Sequence, residues 1–276
     1  MKSTVGINIR KLRKERGMTQ EELAARLEVT SQAVSKWERG DGMPDTSLLL
    51  KLSGTLNASI DQLFGNDTVG RYTTFLDAYN REDYYWGVEP SDICYEILRR
   101  YPPSRCRTIL EIGCGEGRDA VFFARNGYQV TAFDIVESGI EKVYKLANRC
   151  HVPVEAFCAD MLLYDIGEGR TFDLIYSSRV LQNVPHERHA ERIRHYQEHT
   201  SPGGVNVFSV FVDKPFIGKA PDEEKNVALW KTGELFSCYD TWYIDSLEEK
   251  VVDCNSSGIP HKHAIDTIFA RKYETT

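Results

Sequence analysis

The sequence predicts two domains of different fold class: an all-α domain of five helices, then an α/β domain whose mostly parallel sheet ends in antiparallel strands. At 276 residues the chain exceeds the length of about 100 to 200 residues that is usual for one domain. Residues 7–64 contain five short helical segments separated by turn signals, with no alternating strand pattern. From Asp83 onward, apolar strand-like runs alternate with helical stretches, which is typical of a parallel sheet flanked by helices. The last two runs, Trp242 to Leu247 and Ala264 to Ala270, are separated only by the short stretch Glu248 to His263, which predicts an antiparallel pair.

The composition is that of an ordinary globular protein, with 41% apolar and 27% charged residues. The longest apolar runs have the length of strands, far below the roughly 20 residues that span a bilayer, and the N-terminus lacks the apolar core of a signal peptide. The seven cysteines are scattered and include no Cys-x-x-Cys pair, which argues against a disulfide framework or a zinc knuckle. We therefore expect a cytoplasmic protein with reduced thiols and no membrane contact.

We expect the helical domain at residues 1–65, a polar linker at 66–82 and the α/β domain at 83–274. The linker can be partly helical through Tyr72, Phe75, Leu76 and Tyr79. The net charge of −7 is unevenly divided between them. Residues 1–65 carry ten Lys or Arg against eight Asp or Glu, whereas the remainder carries twenty-four against thirty-three. Only the first domain is mildly cationic, so a polyanion would dock there.

The pattern Thr19-x-x-Glu22 is a capping box, in which each side chain accepts a hydrogen bond from the other residue's backbone N–H at a helix start. The second helix is therefore predicted to begin at Gln20. A tight turn follows at Val29, Thr30 can cap the third helix, and Pro44 is predicted to start the fourth. In this third helix Val34 and Trp37 share one side, while the other side suits DNA recognition because short polar groups and a lysine can reach bases and phosphates. That polar side carries Ser31, Gln32, Ser35 and Lys36.

The segment from Arg10 to Phe64 resembles the lambda-repressor/Cro (XRE) family of helix-turn-helix proteins. The shared motifs are Thr19-Gln20-x-x-Leu23-Ala24, Ser35-Lys36-Trp37-Glu38-Arg39-Gly40, Pro44 and Ile60-x-x-Leu63-Phe64. The resemblance implies a double-stranded DNA operator as partner, an ion pair between Arg13 and Glu38, and a homodimer on half-sites one DNA turn apart. The implied DNA contacts are Gln20, Ser31, Gln32, Ser35 and Lys36. The alternative is that this face is only solvated.

A strand ending at Glu111 and Ile112 runs into Gly113-x-Gly115-x-Gly117, and a helix then extends to Arg125. The glycines allow the backbone to approach a ligand and to adopt positive φ. Because the spacing differs from Gly-x-Gly-x-x-Gly and a carboxylate precedes it, a ligand with a cationic amino-acid tail is favoured over a dinucleotide. Cys114 is expected to fill space in the loop.

Two further acids follow the next two strands. Asp134 ends strand Val130–Phe133, about 20 residues after the first glycine, where an acid can accept the ribose hydroxyls. Asp160 and Met161 follow the third strand and can flank an adenine. Three acids after three successive strands indicate an adenosine-containing cofactor, although either aspartate could instead serve as an N-cap or turn residue.

Residues 83–272 resemble class I S-adenosylmethionine-dependent methyltransferases. The resemblance implies that Glu111 and the glycine loop hold the methionine end of S-adenosylmethionine, that Asp134 holds the ribose, and that residues 177–179 line the pocket mouth. The implied cofactor-binding residues are Glu111, Gly113, Cys114, Gly115, Gly117, Asp134, Ile135, Asp160, Met161 and Ser177. No metal site is predicted, since His261-x-His263 has no carboxylate or cysteine partner nearby and His186, His189, His195 and His199 are expected on a polar helix face.

Within this class, the second domain resembles the tellurite-resistance (TehB-like) methyltransferases, which methylate oxyanions of tellurium and selenium. The shared motifs are Tyr85-Trp86-Gly87, Gly115-x-Gly117-Arg118-Asp119-Ala120, Gly127-Tyr128-x-Val130-Thr131-Ala132-x-Asp134, Thr200-x-Pro202-Gly203-Gly204-x-Asn206, and Gly233-Glu234-Leu235 with Tyr239 and Trp242. The resemblance implies a small-molecule acceptor, arginines that attract the anion and an N-terminal aromatic lid. The candidate catalytic residues are Arg118, Arg179, Tyr85 and Trp86. Tyr239 with Trp242 is a further candidate group at the acceptor site. The segment 177–183 departs from the family's apolar version, and 213–231 is charged.

Other functions remain alternatives to a DNA-binding methyltransferase. The second domain could be a sensor that binds the cofactor or a metabolite and controls DNA binding without catalysis. A DNA-base methyltransferase is disfavoured because the fourth strand leads into Ser177-Ser178-Arg179-Val180 and not into an Asp/Asn-Pro-Pro-aromatic loop, and because a Pro-Cys loop is missing. A dinucleotide oxidoreductase is disfavoured by the glycine spacing.

Overall fold

A computed structural model describes residues 4–56, 58, 60–64, 75–219, 227–255 and 259–274 of the chain. The chain divides into two compact units, residues 1–73 and 74–276. Residues 66–74 of the predicted linker lie outside the described residues. Among the helices of the described ranges, none combines the length and apolar character that a membrane span requires.

The first unit is helical. Thr19 caps α2 as predicted: the Glu22 backbone N–H donates to Thr19 Oγ1 at 3.1 Å, and the Thr19 N–H donates to the Glu22 carboxylate at 2.7 Å. The prediction that a helix starts at Pro44 is wrong, because Asp45 instead caps a 3₁₀ turn that leads into α4. The elements are α1 (Thr4–Glu15), α2 (Gln20–Leu27), α3 (Ser31–Arg39), the turn Thr46–Leu48, α4 (Leu49–Leu56) and α5 (Ile60–Phe64).

The core of the first unit lies between these helices and consists of the apolar side chains that the helical periodicity places on one face. Leu23, Val34, Trp37 and Leu52 are buried together. Helix α1 packs closely on α3 at Gly6, where a Cβ atom would lie 1.9 Å from the Trp37 carbonyl oxygen. The buried face of α3 thus fixes the orientation of its opposite, polar face.

The second unit is built on a mixed seven-stranded sheet in the order β3-β2-β1-β4-β5-β7-β6. The predicted combination of a parallel sheet with antiparallel strands at its end is confirmed: β1 to β5 pair in parallel, whereas β7 is antiparallel to β5 and to β6. The strands are β1 (Thr108–Ile112), β2 (Gln129–Asp134), β3 (Glu155–Cys158), β4 (Phe172–Ser178), β5 (Thr200–Val212), β6 (Tyr243–Cys254) and β7 (His261–Arg271).

Helices cover both faces of the sheet, and each face has its own apolar core. The helices are α6 (75–79), α7 (Asp92–Arg100), α8 (Arg118–Arg125), α9 (Glu137–Arg149), α10 (His189–Glu198) and α11 (Glu234–Ser237). Strands β2 and β4 flank β1 on opposite sides, so the carboxyl ends of these three strands meet at one edge. Ligands of open α/β sheets bind at such an edge, where the strand order reverses.

The antiparallel strands are longer than predicted. The stretch Glu248 to His263 was expected to be mostly a connection, but the paired residues of β6 and β7 extend to Cys254 and His261. Most side chains of β6 are exposed, as is usual for an edge strand with little buried surface on either face. No apolar run therefore marks this part of the strand in the sequence.

Candidate functional site

The glycine loop after β1 is held tightly between two other elements. Gly113, Gly115 and Gly117 all have positive φ, at +70°, +54° and +89°. A Cβ atom at Gly113 would lie 2.5 Å from the Val180 side chain, and one at Gly117 would lie 2.8 Å from Val143. The fold itself therefore requires these glycines, in addition to any ligand that approaches the loop.

Glu111 is a buried carboxylate beneath this loop. Burial raises the pKa of Glu111 well above the usual range, and the nearby charges of Asp119 and Asp134 raise it further, against the opposing effect of Arg118. Within the described part of the chain, its Oε2 atom has no hydrogen-bond partner. A buried acceptor without a partner is rare in proteins, and a cationic amino group is the kind of ligand that would satisfy this one.

Asp134, at the end of β2, braces the glycine loop. Its Oδ2 accepts from the Gly115 N–H at 2.9 Å, and its Oδ1 accepts from the Val136 N–H at 3.0 Å. Burial raises the pKa of Asp134, although hydrogen bonds from the backbone oppose that effect. An ionised carboxylate has about four acceptor positions, so this side chain can still accept from the hydroxyls of a ribose.

Residues 75–91, which we call the N-terminal strap, cover the loop and the end of β2. Tyr79 is buried, and its hydroxyl oxygen lies 2.9 Å from where a Cβ atom of Gly115 would be. Trp86 Nε1 donates to this hydroxyl at 3.1 Å. The strap also forms an apolar cluster with the start of α9, which contains Phe75, Ala78, Tyr79, Tyr85, Ile135 and Val136.

Two buried charged groups, Lys142 and Glu116, fasten the strap to the α/β core. Lys142 of α9 pairs with Glu116 of the loop at 2.7 Å and also donates to the Asp83 carbonyl at 2.6 Å. The Trp86 N–H donates to the same Glu116 carboxylate at 3.3 Å. The predicted lid residue Trp86 is therefore anchored beside the loop by its backbone, and the Tyr85 ring packs edge-on against the Trp86 ring with centroids 4.7 Å apart.

The sequence analysis assigned Tyr79 to the linker and gave it no role in the site. The available signal was the spacing of Phe75 and Tyr79, which places two aromatic rings on one face of a helical turn. Their ring centroids are 5.8 Å apart. The spacing indicated a helical turn, but the polar composition of the segment gave no indication that this turn contacts the glycine loop.

Arg118 and Arg179, the two arginines predicted to attract an anion, have different surroundings. Arg118 donates to the Trp86 carbonyl at 3.1 Å and to the Ser91 hydroxyl at 2.9 Å, so it ties the strap to the start of α8. Asp119 beside it accepts from both the N–H and the hydroxyl of Ser91. Arg179 is exposed after β4, and its guanidinium has no ion pair or hydrogen bond within the described ranges.

The backbone of Arg179 is strained. Its φ of +55° lies in the left-handed region, which is uncommon for a residue other than glycine. The Arg179 N–H donates to the Ser209 carbonyl at 2.7 Å, which ties the end of β4 to β5 in this conformation. Retained strain of this kind clusters at functional sites.

Two predicted cofactor residues, Ser177 and Asp160, have clear structural roles. Ser177 is fully buried in β4, and its hydroxyl donates to the Ile112 carbonyl at 3.1 Å instead of lining the mouth. Asp160 accepts from the Leu162 N–H at 2.8 Å, which is the turn role considered as its alternative. Met161 is half-buried against the apolar core beside them. Cys114 is buried, and burial raises the pKa of its thiol well above the usual value, which opposes a nucleophilic role.

The expectation of a polar helix face is wrong for His189. This residue is buried, and its ring stacks on Trp230 with centroids 3.9 Å apart. Its Nδ1 lies 2.8 Å from a Glu234 carboxylate oxygen, and its Nε2 lies 3.0 Å from the Val184 carbonyl oxygen. Tyr239, considered as an acceptor-site group, is also buried and accepts a hydrogen bond from Asn206.

In the first unit, most of the predicted DNA contacts lie together. One surface depression is lined by Gln20, Ser31, Gln32 and Ser35, together with Arg13, Met18, Thr19 and Glu21. Lys36 is exposed on the same helix. The predicted ion pair between Arg13 and Glu38 forms inside this unit, with an Nη2–Oε2 distance of 3.0 Å. Gln20 also donates to Glu38, at 2.7 Å, which fixes its side chain at the depression.

Comparison with known proteins identifies both units. Residues 9–63 match the helix-turn-helix family model, and residues 109–204 match the methyltransferase domain model. A Haemophilus influenzae protein named "Probable S-adenosyl-L-methionine-dependent methyltransferase TehB" is 31% identical over 174 residues, which are 61% of this chain and 58% of that protein. The HTH-type transcriptional regulator ImmR of Bacillus subtilis is 38% identical over 68 residues, which are 25% of this chain and 54% of ImmR.

The solved structures agree on the fold of the second unit. The crystal structure of TehB from Haemophilus influenzae aligns with a TM-score of 0.60 at 22% identity, covering 68% of this chain and 64% of that one. The chain spans a little over half the length of the two curated relatives described above. It thus carries a helix-turn-helix domain and a methyltransferase domain with the TehB-like fold.

Proposed function

We propose that this chain, which joins a helix-turn-helix domain to a methyltransferase domain, is a DNA-binding regulator whose second unit transfers a methyl group from S-adenosylmethionine to a small acceptor. The observation that carries the cofactor assignment is the buried Glu111 oxygen without a partner beneath the glycine loop. The similarity to a TehB protein named for this cofactor supports the same assignment.

The charges of the pocket suit a cationic ligand. Glu111, Asp119 and Asp134 are close enough for the latter two to raise the pKa of the first, so negative charge is concentrated beneath the loop. An ammonium or sulfonium group placed there would relieve this repulsion. The residues present therefore fit S-adenosylmethionine, with Glu111 toward the methionine end and Asp134 toward the ribose.

When bound, the cofactor supplies a methyl group on a positively charged sulfur, and the attacking lone pair of the acceptor displaces the sulfur with its bonding electron pair. The protein then has mainly to position the acceptor and exclude water. Tyr79 and Trp86 close the loop from the strap side, and their aromatic faces tolerate the positive charge. No general base is needed for an acceptor that attacks through a free lone pair.

We assign Arg179 to the acceptor and Arg118 to the positioning of the strap. The guanidinium of Arg179 is exposed at the carboxyl end of β4, whereas that of Arg118 is engaged with Trp86 and Ser91. A free guanidinium attracts an oxyanion and can bind it in a bidentate manner. We propose an oxyanion of tellurium or selenium as the acceptor, as in the TehB-like resemblance.

The test of catalysis is the release of S-adenosylhomocysteine from labelled S-adenosylmethionine, measured with tellurite, selenite and no acceptor. The proposal predicts release that depends on the oxyanion and that falls in Arg179→Gln. Cofactor binding without release under any of these conditions would contradict catalysis on these acceptors and favour the sensor alternative.

The test of the cofactor site is calorimetry with S-adenosylmethionine on the intact chain and on Asp134→Ala. Loss of this carboxylate leaves the ribose hydroxyls poorly paired, which should weaken binding by about 1 to 3 kcal/mol. Glu141→Ala, an exposed acid on α9, is the matched control and should bind as the parent does. Equal affinity of Asp134→Ala and the parent would contradict the ribose assignment.

The test of the first unit is selection of bound sequences from a random pool of double-stranded DNA. The proposal predicts enrichment of a defined site. Gln32→Ala should then lose about 1 to 3 kcal/mol of discrimination at one base position, because glutamine reads adenine through paired hydrogen bonds. Binding without any sequence preference would contradict base recognition by the polar face of α3. This face would then be only solvated or would bind DNA nonspecifically.

A further inference from the structure

The extension of strands β6 and β7 brings three potential metal ligands together. Cys254 and His261 are directly paired across the two strands, so their side chains project from the same face of the sheet. His263 follows His261 by two residues and therefore lies on that face too. The nearest ligand atoms of the three residues all lie within 4.8 Å of one another. The sequence shows no cysteine directly next to His261-x-His263, but the pairing of the strands brings Cys254 beside His261.

The hydrogen bonds around the two histidines favour metal binding through Nε2. His261 Nδ1 lies 2.7 Å from the Ile259 carbonyl oxygen, which can only accept, so Nδ1 carries the proton and Nε2 carries the lone pair. The Nε2 atoms of His261 and His263 are 2.9 Å apart. Metal-bound histidines usually donate their other N–H to such a carbonyl. The His263 ring stacks on Phe211 with centroids 4.2 Å apart, which restrains its orientation.

We propose that Cys254, His261 and His263 bind a single Zn²⁺ ion or a similar divalent transition metal. A thiolate and two imidazole nitrogens form a donor set that Zn²⁺ prefers, with bonds of about 2.3 Å to sulfur and 2.0 Å to nitrogen. Binding releases the thiol proton of Cys254 to solvent, and the proton of His263 moves to Nδ1 so that Nε2 can coordinate. Three protein ligands leave the fourth tetrahedral position open to water or another ligand.

Among the described residues, two other clusters of metal-ligating side chains are weaker candidates. In the cluster of His186, His189 and Glu234, both nitrogens of His189 already face protein acceptors at 2.8 and 3.0 Å. In the cluster of Asp165, His195 and His199, the carboxylate is exposed and no thiolate is present. The hairpin cluster is the one among these three that includes a cysteine, the softest donor.

The position of the proposed site suggests what the metal does. Val212, the last residue of β5, pairs with Ala264, so His261 and His263 lie just beyond the carboxyl end of β5. This is the same edge of the sheet that carries the glycine loop. On the other face of the hairpin, Lys262 pairs with Asp253 at 2.6 Å. A bound metal would fasten the exposed edge strand β6 to β7 at the end where the strands leave the sheet.

Cobalt provides the direct test, because thiolate-bound tetrahedral Co²⁺ gives a charge-transfer band that six-oxygen coordination lacks. The metal-free intact chain should bind one equivalent of Co²⁺ with this band, and added Zn²⁺ should remove the band. Cys254→Ser should abolish it, whereas Cys158→Ser, which alters an exposed cysteine on β3, should leave it unchanged. A band that survives in Cys254→Ser, or no band in the parent, would overturn the proposal.

The histidines are tested by competition for Zn²⁺ against a chelator. His261→Ala and His263→Ala should each weaken binding by more than about 100-fold, beyond the 10- to 100-fold effect of losing an outer hydrogen bond. Circular dichroism of each variant confirms that the fold is intact. Parent affinity in either folded variant would exclude that histidine as a ligand. Cofactor binding by the glycine loop is an independent readout, which these variants should leave unchanged.

Discussion

Glu38 of the first unit and Glu111 of the second are both buried, with 7% and 4% of their surface exposed, yet their surroundings are opposite. Glu38 accepts hydrogen bonds from Arg13 and Gln20. Burial alone would raise the pKa of Glu38, but these two partners hold it below the usual value. Glu111 has an oxygen without a partner, and burial raises its pKa well above the usual value.

This difference indicates that the Glu38 carboxylate stabilises its own domain, whereas the Glu111 carboxylate is available to bind a ligand. A buried ion pair is strongly disrupted when one partner is removed, because the remaining charge stays uncompensated. A buried acid without a counter-charge destabilises the empty protein when it ionises, and it gains a partner only when a cation binds. Mutation of the Arg13–Glu38 pair should therefore lower the stability of the first unit, whereas mutation of Glu111 should lower the affinity of the second unit for its ligand.

The largest effect is expected from Arg13→Ala. The substitution leaves Glu38 buried without its cation, which should destabilise the first unit by about 3 to 5 kcal/mol. Denaturant unfolding of the intact chain, followed by far-ultraviolet circular dichroism, should show the helical unit unfolding earlier while the second unit is unaffected. The control is Arg39→Ala, which breaks an exposed pair with Asp41 and should cost no more than about 1 kcal/mol. Similar losses of unfolding free energy in Arg13→Ala and Arg39→Ala would show that the buried ion pair contributes no more than the exposed one.

A smaller effect, on affinity and not on stability, is expected from Glu111→Gln. The amide has nearly the same shape and is neutral like the protonated acid, so unfolding should be little changed. Affinity for S-adenosylmethionine should fall by about 10- to 100-fold, since a hydrogen bond to a charged group contributes about 1.5 to 3 kcal/mol. Calorimetry measures the loss, with Glu141→Gln on the exposed face of α9 as the control. Unchanged affinity in Glu111→Gln would remove this residue from the site.

The pH dependence should have opposite signs in the two units. The lowered pKa of Glu38 means that its contribution to stability is present above the usual glutamate pKa and is lost as the pH falls through the lowered value. The raised pKa of Glu111 means that the second unit is stabilised below the usual glutamate pKa and loses this stability as the pH rises toward the raised value. Cofactor affinity should instead rise over that range, by at most about tenfold per pH unit, because the cation binds the ionised form. Denaturant unfolding and calorimetry at a series of pH values between 4 and 8 measure these trends. If the stabilities of the two units changed with pH in the same direction, the contrast between Glu38 and Glu111 would be wrong.

The sequence predicted those features that depend on local pattern. The capping box at Thr19, the strand before the glycine loop and the helix after it appear where the motifs indicate. Features that depend on side chains from distant segments were missed. Tyr79 contacts the loop from a segment assigned to the linker, and Cys254 meets His261 only through strand pairing. The spacing of Phe75 and Tyr79 indicates a helical turn but not its contact with the loop. Both contacts join residues whose separation along the chain is set by the fold.

The smallest effect concerns Lys36, which is exposed on the polar face of α3. If it contacts a phosphate, Lys36→Gln should weaken DNA binding about equally for all sequences and reduce the slope of log affinity against log salt by about 0.9. The matched control is Lys51→Gln, since Lys51 is an exposed cation of the same unit that pairs with Glu28. Fluorescence anisotropy at several salt concentrations measures both slopes. Equal slopes for Lys36→Gln and the parent would mean that this lysine is only solvated, and the polar face would then act through Gln20, Gln32 and their neighbours.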